Sequence, residues 1–488
     1  MHIAFAASEC VPFAKTGGLA DVVGALPAEI VRLGHRASVY LPLYARARPL
    51  IRRKSGELSY LLRSVTVPFR YYNRFAGIVD GGERDGVQFY FVEAPELFDR
   101  PELYGPNGGE YPDNAERFGF FCRAVLEASK QLGTPDVFHV HDWQTGLIPV
   151  YLRTTYANDP ALRHCATVQT IHNAAYQGLF PPSTTEQLLF PWDLFTKDKV
   201  EQYDRFNFLK GGVVFSDLLT TVSHRYAEEI QTPEFGWRME GVLRQRASDL
   251  RGILNGVDYD HWDPANDPNL AAHYSADSLD GKRACRADVL HAFGLDSVAD
   301  STTVVGIVSR FVTQKGFDMV AAVGEEIAQR DLVVVALGTG EPAQESFFRS
   351  WGERHPDKIA VQICYDEALA HKIEAGADVF LMPSRYEPCG LNQIYSLKYG
   401  TVPLVRATGG LDDTIEEWDA EQGIGTGFKF YGYDPQSLLA ELDHALAAFQ
   451  NKEAWTRLMR NGMARDYRWE RPAREYAEVY AEAVRRRG

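Results

Sequence analysis

Three cations in this 488-residue chain sit in short polar or glycine-bearing loops. Lys15 opens the run Lys15-Thr16-Gly17-Gly18-Leu19-Ala20-Asp21. Arg310 and Lys315 flank Phe311-Val312-Thr313-Gln314. A third loop, Thr408-Gly409-Gly410-Leu411, repeats the glycine pair without a cation. Paired glycines let backbone approach a ligand closely, and the free N–H groups at a helix start attract anions. Two cations around a strand-to-helix loop suit the charge that builds on a departing diphosphate. The competing readings are a tight turn for each glycine pair and a solvated loop for the cations.

Glu387 lies in Ser384-Arg385-Tyr386-Glu387-Pro388-Cys389-Gly390-Leu391-Asn392-Gln393, where Pro388 and Gly390 mark a sharp turn before a helix. A carboxylate held there can accept hydrogen bonds from sugar hydroxyls, or simply favour a helix start. His172 could be a base, a hydrogen-bond donor or a satisfied core histidine. Cys389 has no Cys–His–Asn arrangement around it and reads as a packing or binding residue. Asp412-Asp413 could ligate a metal, but acidic residues are favourable in a first helical turn anyway.

These residues need elements to hold them. Short apolar, β-rich runs predict strands at 3–7, 38–41, 88–92, 137–140, 167–171 and 218–222, then at 304–308, 332–337, 359–363, 379–382 and 402–405. Apolar strands separated by amphipathic stretches predict parallel sheets covered on both faces. Ligands in such sheets bind beyond the carboxyl ends of the strands. The polar residues follow that rule in both halves: His141-Asp142-Trp143, His172-Asn173, Ser223-His224, Asn255-Gly256, Ser309-Arg310, Cys364-Tyr365-Asp366, 383–387 and 406–410. The expectation is an α/β chain of two doubly wound domains facing each other across a cleft. The boundaries read as 1–250, 251–464 and a terminal helical segment 465–488. In that segment Pro472 suits a first turn, and Tyr476, Val479, Tyr480, Ala483 and Val484 share one face.

Composition narrows the classes. A formal charge of −15 disfavours nucleic acid as the main partner. Six scattered cysteines without a CxxC pair predict a reduced, cytoplasmic protein, and no zinc site is expected. The first nine residues lack the basic start of a signal peptide, and no apolar stretch reaches spanning length, so no membrane partner is expected.

Taken in order, several blocks resemble the bacterial glycogen synthase and plant starch synthase family. They are 15–22, 139–143, 171–178, 253–258, 309–310 with 314–316, 383–391 and 408–411, spread over nearly the whole chain. The resemblance implies the GT-B fold, with two Rossmann-like domains and a last helix that returns to the first. It implies transfer of glucose from ADP-glucose to the non-reducing end of an α-1,4-glucan with retention, without cofactor or catalytic metal. Position by position, it implies that Lys15, His172, Arg310, Lys315 and Glu387 are catalytic. Gly17, Gly18, Asn255, Tyr365, Cys389, Gly390, Leu391, Thr408, Gly409 and Gly410 would bind the nucleotide sugar, with Tyr365 stacking on the base. Asp21, Asp142 and Asn173 would bind acceptor or glucose. Many retaining GT-B enzymes carry a second glutamate where this chain has Tyr395, so ribose recognition would differ here. The alternatives are a phosphorylase-like enzyme of the same architecture, which would need a pyridoxal phosphate lysine site, and an inactive glucan-binding protein.

Overall fold

The computed structural model describes residues 1–52, 56–69 and 71–487. The chain forms two compact units. The first comprises 1–222, 227–256 and 469–488, of which Gly488 lies outside the described residues. The second comprises 223–226 and 257–468.

In chain order the first unit holds β1 (His2–Ala6), β2 (Arg36–Pro42), β3 (Tyr60–Pro68), β4 (Asn73–Arg84), β5 (Val87–Glu93), β6 (Val137–His141) and β7 (Ala166–Ile171). It continues with β8 (Leu179–Phe180), β9 (Glu201–Gln202), β10 (Arg205–Asn207), β11 (Leu218–Thr221) and β12 (Leu250–Gly252). Its main sheet runs β12-β11-β7-β6-β1-β2-β5-β4-β3. The strands are parallel from β12 to β5. The remaining two depart from the all-parallel expectation: β4 and β3 add on antiparallel, through a turn at Asp85-Gly86 where both residues have positive φ. An Asp-Gly pair suits such a hairpin because it tolerates that backbone. The β3 strand is largely exposed, so it lacks the continuous apolar run that marks a buried parallel strand.

The second unit holds β13 (Thr303–Val308), β14 (Leu332–Leu337), β15 (Ile359–Gln362), β16 (Val379–Met382), β17 (Val402–Arg406) and β18 (Phe428–Phe430). They form a parallel sheet of order β15-β14-β13-β16-β17-β18. Side chains alternate between its faces. Val305, Ile307, Val334 and Ala336 feed one apolar core, while Val304, Val333, Val335 and Leu337 feed the other. This is the two-faced burial that apolar strands require.

The helix Glu470–Arg487 packs on the first unit. Ala473, Tyr476, Val479, Tyr480 and Ala483 are buried with Ile3, Phe5, Val39 and Val168. Residues 465–468 stay with the second unit, so the returning segment is shorter than 465–488. Among the described residues no helix is long and apolar enough to cross a membrane.

Candidate functional site

Each sheet has a point where the strand order reverses. In the first unit β1 is flanked by β2 and β6; in the second β13 is flanked by β14 and β16. Crevices form at such switch points because successive connections leave on opposite faces. The loop after β1 carries Lys15, and Asp142 follows β6. The loop after β13 carries Arg310 and Lys315, and Glu387 follows β16.

In the first unit the loop after β1 is organised by Glu9, a buried carboxylate that the residue patterns did not single out. Glu9 accepts from the Thr16 N–H, from the Thr16 hydroxyl at 2.6 Å, from the Gly17 N–H at 3.2 Å and from the Tyr104 hydroxyl at 2.5 Å. The amides of Thr16 and Gly17, ahead of the helix that begins at Gly18, are therefore occupied by Glu9. Gly17 and Gly18 have no positive φ, and a Cβ on either would meet open space. Lys15, about half exposed, donates to Asp21 at 2.7 Å. This gives Asp21 the role of partner to Lys15. Glu9 lies three residues beyond the end of β1, so the strand-end rule that found Asp142 reaches it as well.

Asp142 has φ 54°, an uncommon value for a non-glycine residue and a feature concentrated at functional sites. Its carboxylate accepts the His172 N–H at 2.7 Å. Burial pushes its pKa up to about 7, and the nearby charge of Glu9 adds to the rise. Burial pushes the His172 imidazole down to about 3, so this ring is neutral at ordinary pH. His172 Nε2 lies 3.0 Å from His141 Nδ1. The His141 ring lies against that of His139, 4.2 Å between centroids and tilted by 38°, and His139 Nδ1 bonds the Tyr480 hydroxyl at 2.8 Å. The last helix thus reaches the histidine cluster. Asn173 closes a local turn by accepting the Ala175 N–H at 3.0 Å. Asn255 is buried, and its Oδ1 has no partner among the described residues.

In the second unit three loops interlock. Arg385 N–H donates to Gln314 O at 2.9 Å, tying the loop after β16 to the loop after β13. Gly410 N–H donates to Glu387 O at 3.0 Å, tying in the loop after β17. Gly409 has φ +46°, and a Cβ on it would stand 1.9 Å from Glu387 O; a Cβ on Gly410 would stand 2.0 Å from Cys389 O. The glycine pair of 408–411 is therefore required by loop packing. The Gly410 amide is not available to phosphate, which corrects that expectation for this residue. Thr408 and Cys389 are buried in the same stack, Gly390 turns the chain ahead of the helix Asn392–Lys398, and Leu391 packs with Val257, Tyr259 and Ile394.

Inside this stack Lys315 Nζ donates to Glu387 Oε2 at 2.6 Å, and the Ser384 hydroxyl donates to the same oxygen at 3.0 Å. Arg310 is exposed and forms no ion pair among the described residues. Tyr365 is 86% exposed, an open ring surface. Asp412 pairs with Lys429 at 2.9 Å, and Asp413 accepts the Arg225 N–H at 2.9 Å, so both acids have protein partners.

Comparison with known proteins identifies the family. Residues 2–245 match the family model described as the starch synthase catalytic domain, and 297–461 match that of glycosyl transferases group 1. The chain is 57% identical to the glycogen synthase of Koribacter versatilis (strain Ellin345), over 99% of this chain and 98% of that protein. It is 47% identical to the glycogen synthase of Anaeromyxobacter dehalogenans (strain 2CP-C), over 98% and 99%. Among solved structures, the catalytic domain of starch synthase IV from Arabidopsis thaliana, bound to ADP and acarbose, superposes with a TM-score of 0.88 at 32% identity. That match covers 99% of each chain. The sucrose-phosphate synthase of Thermosynechococcus elongatus shares the fold alone, with a TM-score of 0.59 at 17% identity over 99% of each chain. The chain belongs to the glycogen synthase and starch synthase family of GT-B glycosyltransferases.

Proposed function

We propose that this glycosyltransferase moves glucose from ADP-glucose to the 4-hydroxyl at the non-reducing end of an α-1,4-glucan, with retention and without a catalytic metal. The observation that carries the reading is the loop after β13, which holds an unpaired cation, Arg310, and a second cation, Lys315, already aligned by a buried carboxylate. Protein cations placed where diphosphate charge develops supply the stabilisation that a metal supplies in other phosphate chemistry. The acids nearest in sequence to a metal-ligand pattern, Asp412 and Asp413, are engaged by protein groups.

In this account the bond from the anomeric carbon to the diphosphate oxygen breaks while the acceptor oxygen enters on the same face. The acceptor proton passes to the leaving diphosphate. Arg310 and Lys315 stabilise the diphosphate, and Glu387 and Asn255 hold the donor glucose. Asp142 and a neutral His172 orient the reacting sugar, and Tyr365 offers its ring to the base. Lys15 and the open space at Gly17 and Gly18 serve the phosphate side. Positioning of this kind is worth several powers of ten in rate.

The anomeric outcome tests the reading. A maltooligosaccharide extended by the enzyme, followed by proton NMR of the new linkage, is expected to show the α signal alone. A β signal would rule out front-face transfer. Extension that requires glucose 1-phosphate would favour the phosphorylase alternative.

A further inference from the structure

Among the described residues the loops assigned to transfer leave two clusters of potential metal ligands unused, and one of them contains a fully buried histidine. His261, Glu367 and His371 each place a donor atom within 4.8 Å of the other two. His261 Nε2 and Glu367 Oε1 are already 3.1 Å apart. A tetrahedral zinc shell with bonds of about 2.0–2.1 Å sets neighbouring donors roughly 3.3 Å apart. One edge of that shell is therefore present. The other two separations are at most 4.8 Å, so the shell closes with up to about 1.5 Å of movement from His261 and Glu367, whose side chains are more than half exposed.

His371 gives the independent reason to expect an ion. Its side chain is fully buried, and its Nδ1 lies 2.7 Å from Asp267 Oδ2. A carboxylate only accepts, so Nδ1 carries a proton, and in the neutral ring Nε2 presents a lone pair. That Nε2 is buried without a partner among the described residues. A buried acceptor left unsatisfied is costly, and in native proteins it calls for an explanation. Trp262 stacks on His371 at 3.7 Å with planes 10° apart, and Tyr395 stacks on Trp262 at 4.0 Å, so the ring is fixed. The Tyr399 hydroxyl fixes Asp267 in turn, at 2.6 Å. A histidine that donates one nitrogen to a carboxylate and offers the other is the usual arrangement behind a metal ligand. Glu367 and His371 are four residues apart on the helix Glu367–Gly376 and so share a face.

We propose that His261, Glu367 and His371 bind a divalent transition metal, zinc by the chemistry of two imidazoles and a carboxylate, with Asp267 as the carboxylate behind His371. The charges balance: Glu367 and Asp267 together neutralise a dication. Bound there, the ion would clamp the segment carrying His261 and Trp262 to the first turn of a helix that begins two residues after Tyr365. The site shares no residue with the transfer machinery, so it stands or falls separately from the proposed reaction.

The test is zinc titration of chelator-stripped, full-length protein against a chromophoric zinc chelator, with Co(II) absorption as a second readout. Wild type is expected to take up one equivalent and to give the visible bands of four-coordinate Co(II). H261Q and E367Q, both surface changes, should each weaken binding ten-fold or more. The second cluster, Glu417, Glu441 and His444, has no such orphaned histidine nitrogen. H444Q should therefore bind like wild type. No uptake by wild type, uptake unchanged in H261Q, or loss of uptake in H444Q would each overturn the proposal. Transfer activity that fails on chelation would count against the metal-free reaction and leave the titration result standing.

Discussion

Lys315 and Glu387 form a 2.6 Å ion pair with side chains only 18% and 7% exposed. Ser384 adds a second donor to the same carboxylate oxygen. The cation assigned to the diphosphate thus holds the carboxylate assigned to the glucose.

Separating that pair should affect folding and catalysis differently. K315Q removes the charge-assisted bond and leaves Glu387 with the Ser384 hydroxyl, at a cost of roughly 2 kcal/mol of stability. The kcat/KM should fall at least 10²-fold, the scale for losing one electrostatic stabiliser of a transition state. The double variant K315Q/E387Q should recover much of the stability and none of the activity. Denaturant titration beside initial rates separates the two effects.

Glu9 organises the loop after β1, so E9Q should disturb that loop from beneath. The amide oxygen can keep both N–H donors, but its NH₂ then faces the Thr16 and Tyr104 hydroxyls, which must turn from donating to accepting. A stability loss of about 1–3 kcal/mol is expected, with a rise in KM for the sugar nucleotide larger than any fall in kcat. Y104F removes one donor to Glu9 and should show a weaker version of both effects. An E9Q enzyme with unchanged KM would remove Glu9 from the account.

The two glycine pairs should respond in opposite ways. G409A forces a Cβ into Glu387 O at a positive-φ position and should lower stability by more than 1 kcal/mol, with activity lost as the loops shift. G18A meets open space and should melt within a degree or two of wild type. If the space serves a ligand, G18A will still raise the KM for the nucleotide sugar. An unchanged KM would make that glycine a matter of chain path alone.

The pH dependence of stability should divide Asp142 from His172. Burial raises the Asp142 pKa to about 7, so the folded chain keeps a proton that the unfolded chain has released. That term is most favourable below the unfolded carboxylate pKa and is lost as pH rises to 7. D142N should therefore gain on wild type as pH rises from 4 to 7. Burial lowers the His172 pKa to about 3, so the unfolded chain binds the extra proton and stability is lost as pH falls below about 6.5. H172Q should gain on wild type as pH falls. Unfolding free energies of the three proteins between pH 4 and 8 give both slopes, and two slopes of the same sign would contradict the assigned states.

Much of this was legible in the residues because burial writes itself into sequence. The strand runs at 304–308, 332–337 and 379–382 lie within a residue of β13, β14 and β16, since strands buried on both faces admit only apolar side chains. The β3–β4 pair was not legible, because its exposed face breaks the apolar run that marks the others. Arg310, Lys315 and Glu387 could be found from loops at strand ends. Their states could not: that Lys315 is paired and Arg310 unpaired depends on how three distant loops stack. The histidine cluster was hidden for a similar reason. His139 and Tyr480 are 341 residues apart and meet only because the last helix returns to the first unit.

The most direct test of the central claim is product release with purified enzyme: ADP from ADP-glucose and UDP from UDP-glucose, each with and without glycogen and in the presence of EDTA. The account predicts ADP release that depends on glycogen, exceeds UDP release and survives the chelator. Silence with both donors from folded protein, or ADP release abolished by EDTA and restored by a divalent cation, would contradict it.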